Sequence, residues 1–396
     1  MKTISASALF LTVIAAVMCS WIQARWPTSI PEAAVFTLAA VWAVAGITGL
    51  VKLRFHPILL LLALIVVWGA IQIGAGTTAN SWRTKAAMLD WGCNLATFFV
   101  SLQLFSSSRT RVRFLRALIY FGMALSILSP LQELYGGEKV LWLFNPSPTF
   151  IPQFGPFPYR NQYSAFIELL LPIALFRAFT EERDRLLHVL AAALFYASVI
   201  AAGSRMGVVI ATSEMLIVPL IIFHKHRLRV RSLRNNALLF GAIFIMLIMA
   251  AGPAEMLKKF NSPDPYAGRR EYSESSLKMI RARPWMGFGL GNWATVYPGY
   301  ALFDDGLHVN QAHDDWVQWG AEGGLPLLAI MVGIAAWTFR QAFRTMWGIG
   351  AAAVFVHCLV DYPIQRISVS LVMFLMLAAL AAPATSQGLR SDQIAE

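Results

Sequence analysis

Charge is scarce in this sequence. Only 13% of its 396 residues are Asp, Glu, Lys or Arg, about half the share of an ordinary soluble chain. Cysteine is scarcer still. Cys19, Cys93 and Cys358 all lie within apolar runs, and none has the spacing of a metal knuckle or a redox pair. Neither a disulfide framework nor a thiolate metal site is implied, and buried packing suits all three. The chain also lacks an HExxH pattern, a low-complexity tract and any detectable internal repeat. An inverted-repeat transporter is expected to show an echo between its halves.

What the chain has in abundance is apolar surface: 57% of its residues are hydrophobic, and the mean hydropathy is +0.59. Apolar runs of about 20 residues recur from end to end, each long enough to cross about 30 Å of hydrocarbon as a helix. The expected fold class is all-α: a polytopic integral membrane protein, one transmembrane domain over residues 1–396 with about 12 helices. The spans fall near 4–22, 32–51, 57–75, 86–106, 114–134, 161–180, 186–204, 206–223, 237–252, 323–340, 346–363 and 367–386. The N-terminal stretch has features of a signal peptide, but its apolar part is long for one, and an uncleaved first helix is expected.

An even number of spans puts both termini on one side. With the N-terminus cytoplasmic, the inner connectors collect more than half of the basic residues, including Arg109, Arg111, Arg113 and Arg116. That orientation satisfies the positive-inside rule. It also accounts for the net charge of +11: the basic stretch "HKHRLRVRSLRNN" (224–236) joins two spans on the cytoplasmic face, where anionic headgroups attract it. Nucleic-acid binding is not expected. Two outer segments exceed what a connector needs, 135–160 and 253–322. Long outer loops on a membrane scaffold are where function concentrates.

Within the spans, Asp90, Glu168, Glu214, His357 and Asp361 are isolated or near span ends, which suits helix packing better than a proton relay. Chemistry is expected on the outer face. Arg160 opens a span in "FPYRNQYSAF", Arg205 follows Gly203 and Ser204 in "AAGSRMG", and Arg269 and Arg270 sit in "YAGRREYSE". Any one of them could simply snorkel at the interface. As a set on the disfavoured side they point to a shared anion site, because guanidinium forks match phosphate oxygens and keep their charge.

The stretch "HVNQAHDDWVQWGAEGGLPLLAI" (308–330) supplies the other half. The spacing of His308 and His313 does not stack on one helical face, so a metal site is not expected. His313 opens a short helix over 311–322 and is the candidate general base. Asp314 and Asp315 complement that helix's dipole. Glu322 is placed to fix its junction with the tenth span, and His308 reads as a bystander in a wet loop. Anion binders facing one base suit transfer from a phosphorylated lipid to a hydroxyl, with a diphosphate as leaving group and no metal.

Four ordered blocks carry a family resemblance: "FPYRNQYSAFIELLLPIAL" (157–175), "GSRMG" (203–207), "GRR…SLKMIRARPWMGFGLGNW" (268–293) and "AHDDWVQWGAEGGL" (312–325). By these the chain resembles the O-antigen ligase / O-antigen polymerase superfamily. The resemblance implies a GT-C-like glycosyltransferase of the bacterial inner membrane, with a large periplasmic loop (253–322) carrying part of the active site. It would move a glycan from undecaprenyl diphosphate to an acceptor sugar hydroxyl at the periplasmic face, without a cofactor or a metal. By position, His313 matches the residue that activates the acceptor, while Arg205 and Arg269 or Arg270 match those assigned to the diphosphate. Arg160 joins the diphosphate set from its charge and side, with Ser204, Asp315 and Glu322 as supporting residues. Asp314 departs from the ligase pattern, which has Asn, Ser or Gln there. A ligase whose acceptor is the lipid A core is the leading expectation. The alternatives are a polymerase using a second lipid-linked repeat and a non-catalytic lipid or glycan transporter. Membrane lipids are expected around all of these.

Overall fold

The computed structural model describes residues 1–22, 24–136, 139–145, 153–182, 184–226, 230–251, 267–302, 306, 309–342, 345 and 347–382. Among them the chain is helical, with no strand beyond two isolated bridges, Val140 with Phe144 and Phe154 with Phe157. The helices are α1 (Lys2–Met18), α2 (Trp26–Ile47), α3 (Pro57–Gly74), α4 (Ser81–Leu104), α5 (Ser108–Tyr135), α6 (Arg160–Glu168), α7 (Leu171–Thr180), α8 (Arg185–Ala202), α9 (Arg205–His226) and α10 (Val230–Ala251). After a gap come α11 (Ala267–Ala282), the single turn α12 (Trp293–Val296), α13 (Asp315–Ala342), α14 (Trp347–His357) and α15 (Ile367–Ala381).

Each of the twelve apolar runs contains helix among the described residues, and the eleventh is helical only as far as His357. Among the described residues, seven stretches are long and apolar enough to cross a membrane: α2, α3, α5, α6–α7 together, α8, α9 and α13. α1, α14, α15 and part of α10 are apolar but shorter. α4 is long, and its first half carries Arg83, Lys85 and Asp90.

The starts and breaks have local causes. Asn80 caps α4 by accepting from the Trp82 and Arg83 amides, and Ser107 caps α5 through the Thr110 amide, satisfying donors that a helix start leaves orphaned. Pro172 separates α6 from α7, since it lacks an N–H and crowds the carbonyl of Glu168 four residues back. α13 bends at Gly324, whose φ of 67° and ψ of −170° lie outside the helical region. A Cβ there would sit 2.4 Å from the Trp285 carbonyl oxygen, so only glycine fits. The bend splits α13 into a short first arm, 315–323, and an apolar shaft.

Burial divides the bundle. The apolar stretch of α6–α7 is 89% buried, against 28% for α2 and for α3, so α6–α7 is the axis and α2 and α3 are the rim. Glu168, at the break between α6 and α7, accepts from His357 Nδ1 at 2.9 and 3.0 Å, and both side chains are fully buried. Joint burial of an acid and a base is tolerable when each satisfies the other.

One end of the bundle gathers the starts of α2, α4, α6, α9 and α15, together with α11 and the described residues between it and Gly324. Gln72 Nε2 donates to the Met286 and Glu322 carbonyls, Arg283 donates to the Thr77 carbonyl, and the Ala79 amide donates to Phe288. The other end is tied by Lys2 to Ser106, by Gln103 to the Arg54 backbone, and by Arg116 to Glu181 and Asp184.

Candidate active site

The site is built on helix starts. α6 and α9 pack so closely that a Cβ on Gly207 would lie 2.5 Å from the Ser164 Cβ. Their first residues, Arg160 and Arg205, therefore begin from adjacent helix N-termini. Gly203 closes α8 with a positive φ, and Ser204 Oγ accepts from the Gly207 amide to open α9. Asn161, second in α6, donates its side-chain amide to Asp361. The Asp315 amide at the start of α13 donates to the carbonyls of Cys358 and Asp361 at 2.9 and 3.2 Å. Arg269, third in α11, donates to the Val360 carbonyl at 2.7 Å and places Nη2 3.5 Å from Asp361 Oδ2. Three helix starts, those of α6, α11 and α13, thus touch the 358–366 turn, and the start of α9 packs beside that of α6. Their dipoles favour negative charge at this point.

Helix geometry separates the two adjacent arginines. Arg269, Tyr272, Ser276 and Met279 follow an i, i+3, i+7, i+10 pattern and share one face of α11. Met279 is fully buried, and Trp293 Nε1 donates to Ser276 Oγ at 2.8 Å. Glu271 anchors the helix by accepting from Tyr297 Oη, Ser275 Oγ and the Leu302 amide. Arg270, about 100° further round, is exposed.

His313 has a φ of +52°, a conformation uncommon for a non-glycine residue, costing on the order of 1–3 kcal/mol unless its surroundings enforce it. Here they do. On one side, Gln318 Oε1 accepts from the Ala312 amide. On the other, Asp314 Oδ1 caps the helix by accepting from the Trp316 and Val317 amides. The strained backbone turns the imidazole into an aromatic box. It lies edge-on to Tyr362 at 4.8 Å, stacked on Tyr272 at 6.0 Å and edge-on to Tyr159 at 6.4 Å between ring centroids. Nδ1 lies 3.5 Å from Asp361 Oδ1, within ion-pair reach, and makes no hydrogen bond among the described residues.

Asp361 is the hub that sequence reading placed inside the eleventh span. α14 ends at His357, so Asp361 lies beyond it in the turn, only 3% exposed. Burial acts to raise its carboxyl. The contact with His313 and the charges of Arg269 and His357 outweigh that and hold it well below the usual carboxylate range. Asp361 is therefore ionised at neutral pH, with the imidazole on one oxygen and the guanidinium on the other.

The other candidate residues take different places. Arg160 pairs with Glu133 at 3.2 Å. The two acids after His313 divide their work: Asp314 is the cap, with its carboxyl pushed up to about 6 by burial despite two backbone donors. Asp315 is fully buried and accepts from the Ile364 amide at 3.2 Å, tying α13 to the 363–365 turn. Glu322 accepts from the Gly291 and Trp293 amides and from Gln318, fixing the glycine-rich 287–293 loop against α13. His308, with the neighbouring Asp304 and Asp305, lies outside the described residues. Among those described, Glu181, Asp184 and His188 cluster at the opposite end of the bundle. Arg177 and Arg116 reach the two acids there, so the cluster reads as an ion-pair network.

Residues 190–332 match the family model described as O-antigen ligase. Over this segment, rather more than a third of the chain, the protein is similar to the O-antigen ligase family. No curated protein matches the chain. For an O-antigen ligase family protein, lipid-linked glycan transfer is the supported class of activity. The matched segment contains Ser204, Arg205, Arg269, Arg270, His313, Asp315 and Glu322. Arg160, Asn161 and Asp361 fall outside it; Arg160 is a candidate from its charge and side, and packing alone adds Asn161 and Asp361 to the site.

Proposed function

We propose that the protein transfers a glycan from undecaprenyl diphosphate to a sugar hydroxyl of the lipid A core, at the periplasmic face of the bacterial inner membrane. The single observation that carries the reading is His313 and Arg269 sharing one buried carboxylate, Asp361, beside the starts of α6, α11 and α13. The twelve apolar helices are read as twelve spans in a GT-C-like arrangement, with both termini cytoplasmic. The segments 135–160 and 253–322 then form the periplasmic loops.

In this mechanism the acceptor oxygen attacks the anomeric carbon. The bond from that carbon to the diphosphate oxygen breaks, and its electron pair leaves with the diphosphate. Arg205, Arg269 and Arg270, with the N-termini of α9 and α11, neutralise the charge that develops there. Arg160 contributes if its pair with Glu133 opens when the donor binds. His313 takes the hydroxyl proton, and the Asp361 carboxylate behind it stabilises the imidazolium that results. Because the leaving group is a diphosphate and its charge is met by guanidinium groups, neither a metal nor a protonated acid is required.

The test is reconstitution of the full chain in lipid with an undecaprenyl-diphosphate-linked glycan and, separately, lipid A core or a second lipid-linked repeat as acceptor. The proposal predicts transfer to the core, undiminished by EDTA. Elongation of the lipid-linked repeat alone would replace the ligase assignment with a polymerase one. Lipid translocation without transfer would overturn the enzyme reading.

A further inference from the structure

Beside the His313 box lies a cavity of about 490 Å³, within the roughly 300–1,000 Å³ of small-ligand sites. It lies between the adjoining ends of α1, α2, α4 and α15, largely in the half of the chain that the family match leaves out. Tyr159, one wall of the His313 box, also lines it, as do Gln311, two residues before His313, and the 364–366 turn that follows Asp361 and Tyr362.

Three arginines enter this cavity, and they differ in their engagements. Arg25 is held by Glu32 at 2.8 Å and by Asp90 at 3.0 Å. The Glu322 carboxylate is already committed to two backbone amides and Gln318. Arg83 and Arg366 make no ion pair among the described residues. Arg366 lies over the Tyr362 ring at 5.4 Å, and its Nε is buried without a hydrogen-bond partner. The lining therefore offers two guanidinium groups with unused donors. Between them, neutral amides such as Asn94, Gln311 and Gln365 both donate and accept, and Trp91 and Tyr159 present ring surface. That combination fits sugar hydroxyls, the apolar faces of sugar rings and one anionic substituent.

We infer that this cavity is the acceptor subsite, and that it takes an acidic oligosaccharide whose phosphate or carboxylate sits against Arg83 and Arg366. The inference rests on the transferase reading for the word acceptor, while binding itself can be measured without turnover. The experiment titrates the full chain in lipid nanodiscs with a deacylated, phosphate-bearing core oligosaccharide. Matched forms are stripped of phosphate or have their sugar carboxylates reduced. Arg83→Gln and Arg366→Gln are each expected to weaken binding roughly tenfold, the size of one charge-assisted contact, and Arg366→Lys to recover part of the loss. Loss on dephosphorylation names phosphate as the recognised group, and loss on carboxyl reduction names carboxylate. Arginine variants that bind as wild type, or stripped forms that both bind as well as the parent, overturn the proposal. Should Arg366→Gln fail to fold, the exposed Arg83 carries the test. In the transfer assay the acceptor KM is expected to rise with donor KM unchanged; a rise in donor KM instead would overturn the acceptor assignment. Acceptor that binds as described but is never glycosylated would count against the transferase reading alone.

Discussion

Two regions beside His313 are built from different materials. One holds Asp361, Arg269 and the starts of α6, α11 and α13, where a buried carboxylate, a guanidinium and backbone dipoles are concentrated. The other is a roomier cavity, where amides outnumber the cations and, among the described residues, Arg83 and Arg366 make no ion pair. The contrast matches the two substrates in the proposed reaction. A diphosphate that departs needs concentrated fixed positive charge at one point. A sugar that must be oriented needs many weak, directional contacts, and only enough charge to select its class. The imidazole at the boundary belongs to both sides.

The contrast can be broken from either side. Arg269→Ala removes a guanidinium from the diphosphate side and leaves Asp361 short of a partner; transfer assays should show kcat lower by roughly 10²–10³ with the acceptor KM little changed. Asp361→Asn keeps the shape but deletes the charge that Arg269 and His313 share. A loss of about 10–100-fold is expected, the usual size for a carboxylate orienting a histidine from behind. Arg366→Gln, on the cavity side, should move only the acceptor KM, by roughly tenfold. The smallest effect is expected at the helix cap. The Asp314 carboxyl, at about 6 when folded, lies above its ordinary 3.8. The folded state thus binds that proton more tightly, and this group's contribution to stability rises as pH falls through about 6, levelling off below about 4. Asp314→Asn keeps a capping oxygen and cannot titrate. Relative to the variant, the wild-type Tm should therefore gain between pH 7 and pH 5; parallel curves would remove Asp314 from the pH response.

Much of this arrangement is legible in the sequence because membrane burial writes itself as run length. The apolar runs mark where the helices fall, and His313 stands out as an ionisable group at the edge of one. Asp361 does not stand out, since its neighbours in "HCLVDYPI" are apolar enough to draw it into the eleventh span. The corrective signal is Pro363, which disfavours helix at the preceding residue and so pushes Asp361 towards a turn. Arg269 and Arg270 are equivalent in sequence and become distinct only once a helix face is chosen. The pairing of Arg160 with Glu133 joins residues 27 positions apart, across a segment whose path no local pattern fixes. The acceptor cavity is the least legible feature, because it assembles polar residues from α4, α13 and the connections before α2, α6, α13 and α15, each unremarkable alone.

The most direct test is the initial rate of glycan transfer by His313→Ala against wild type, in lipid, at saturating donor and acceptor and with EDTA present. If His313 is the base, the variant loses about 10²–10⁴ in rate while still binding the core oligosaccharide. A rate within a few-fold of wild type would contradict the assignment of this site.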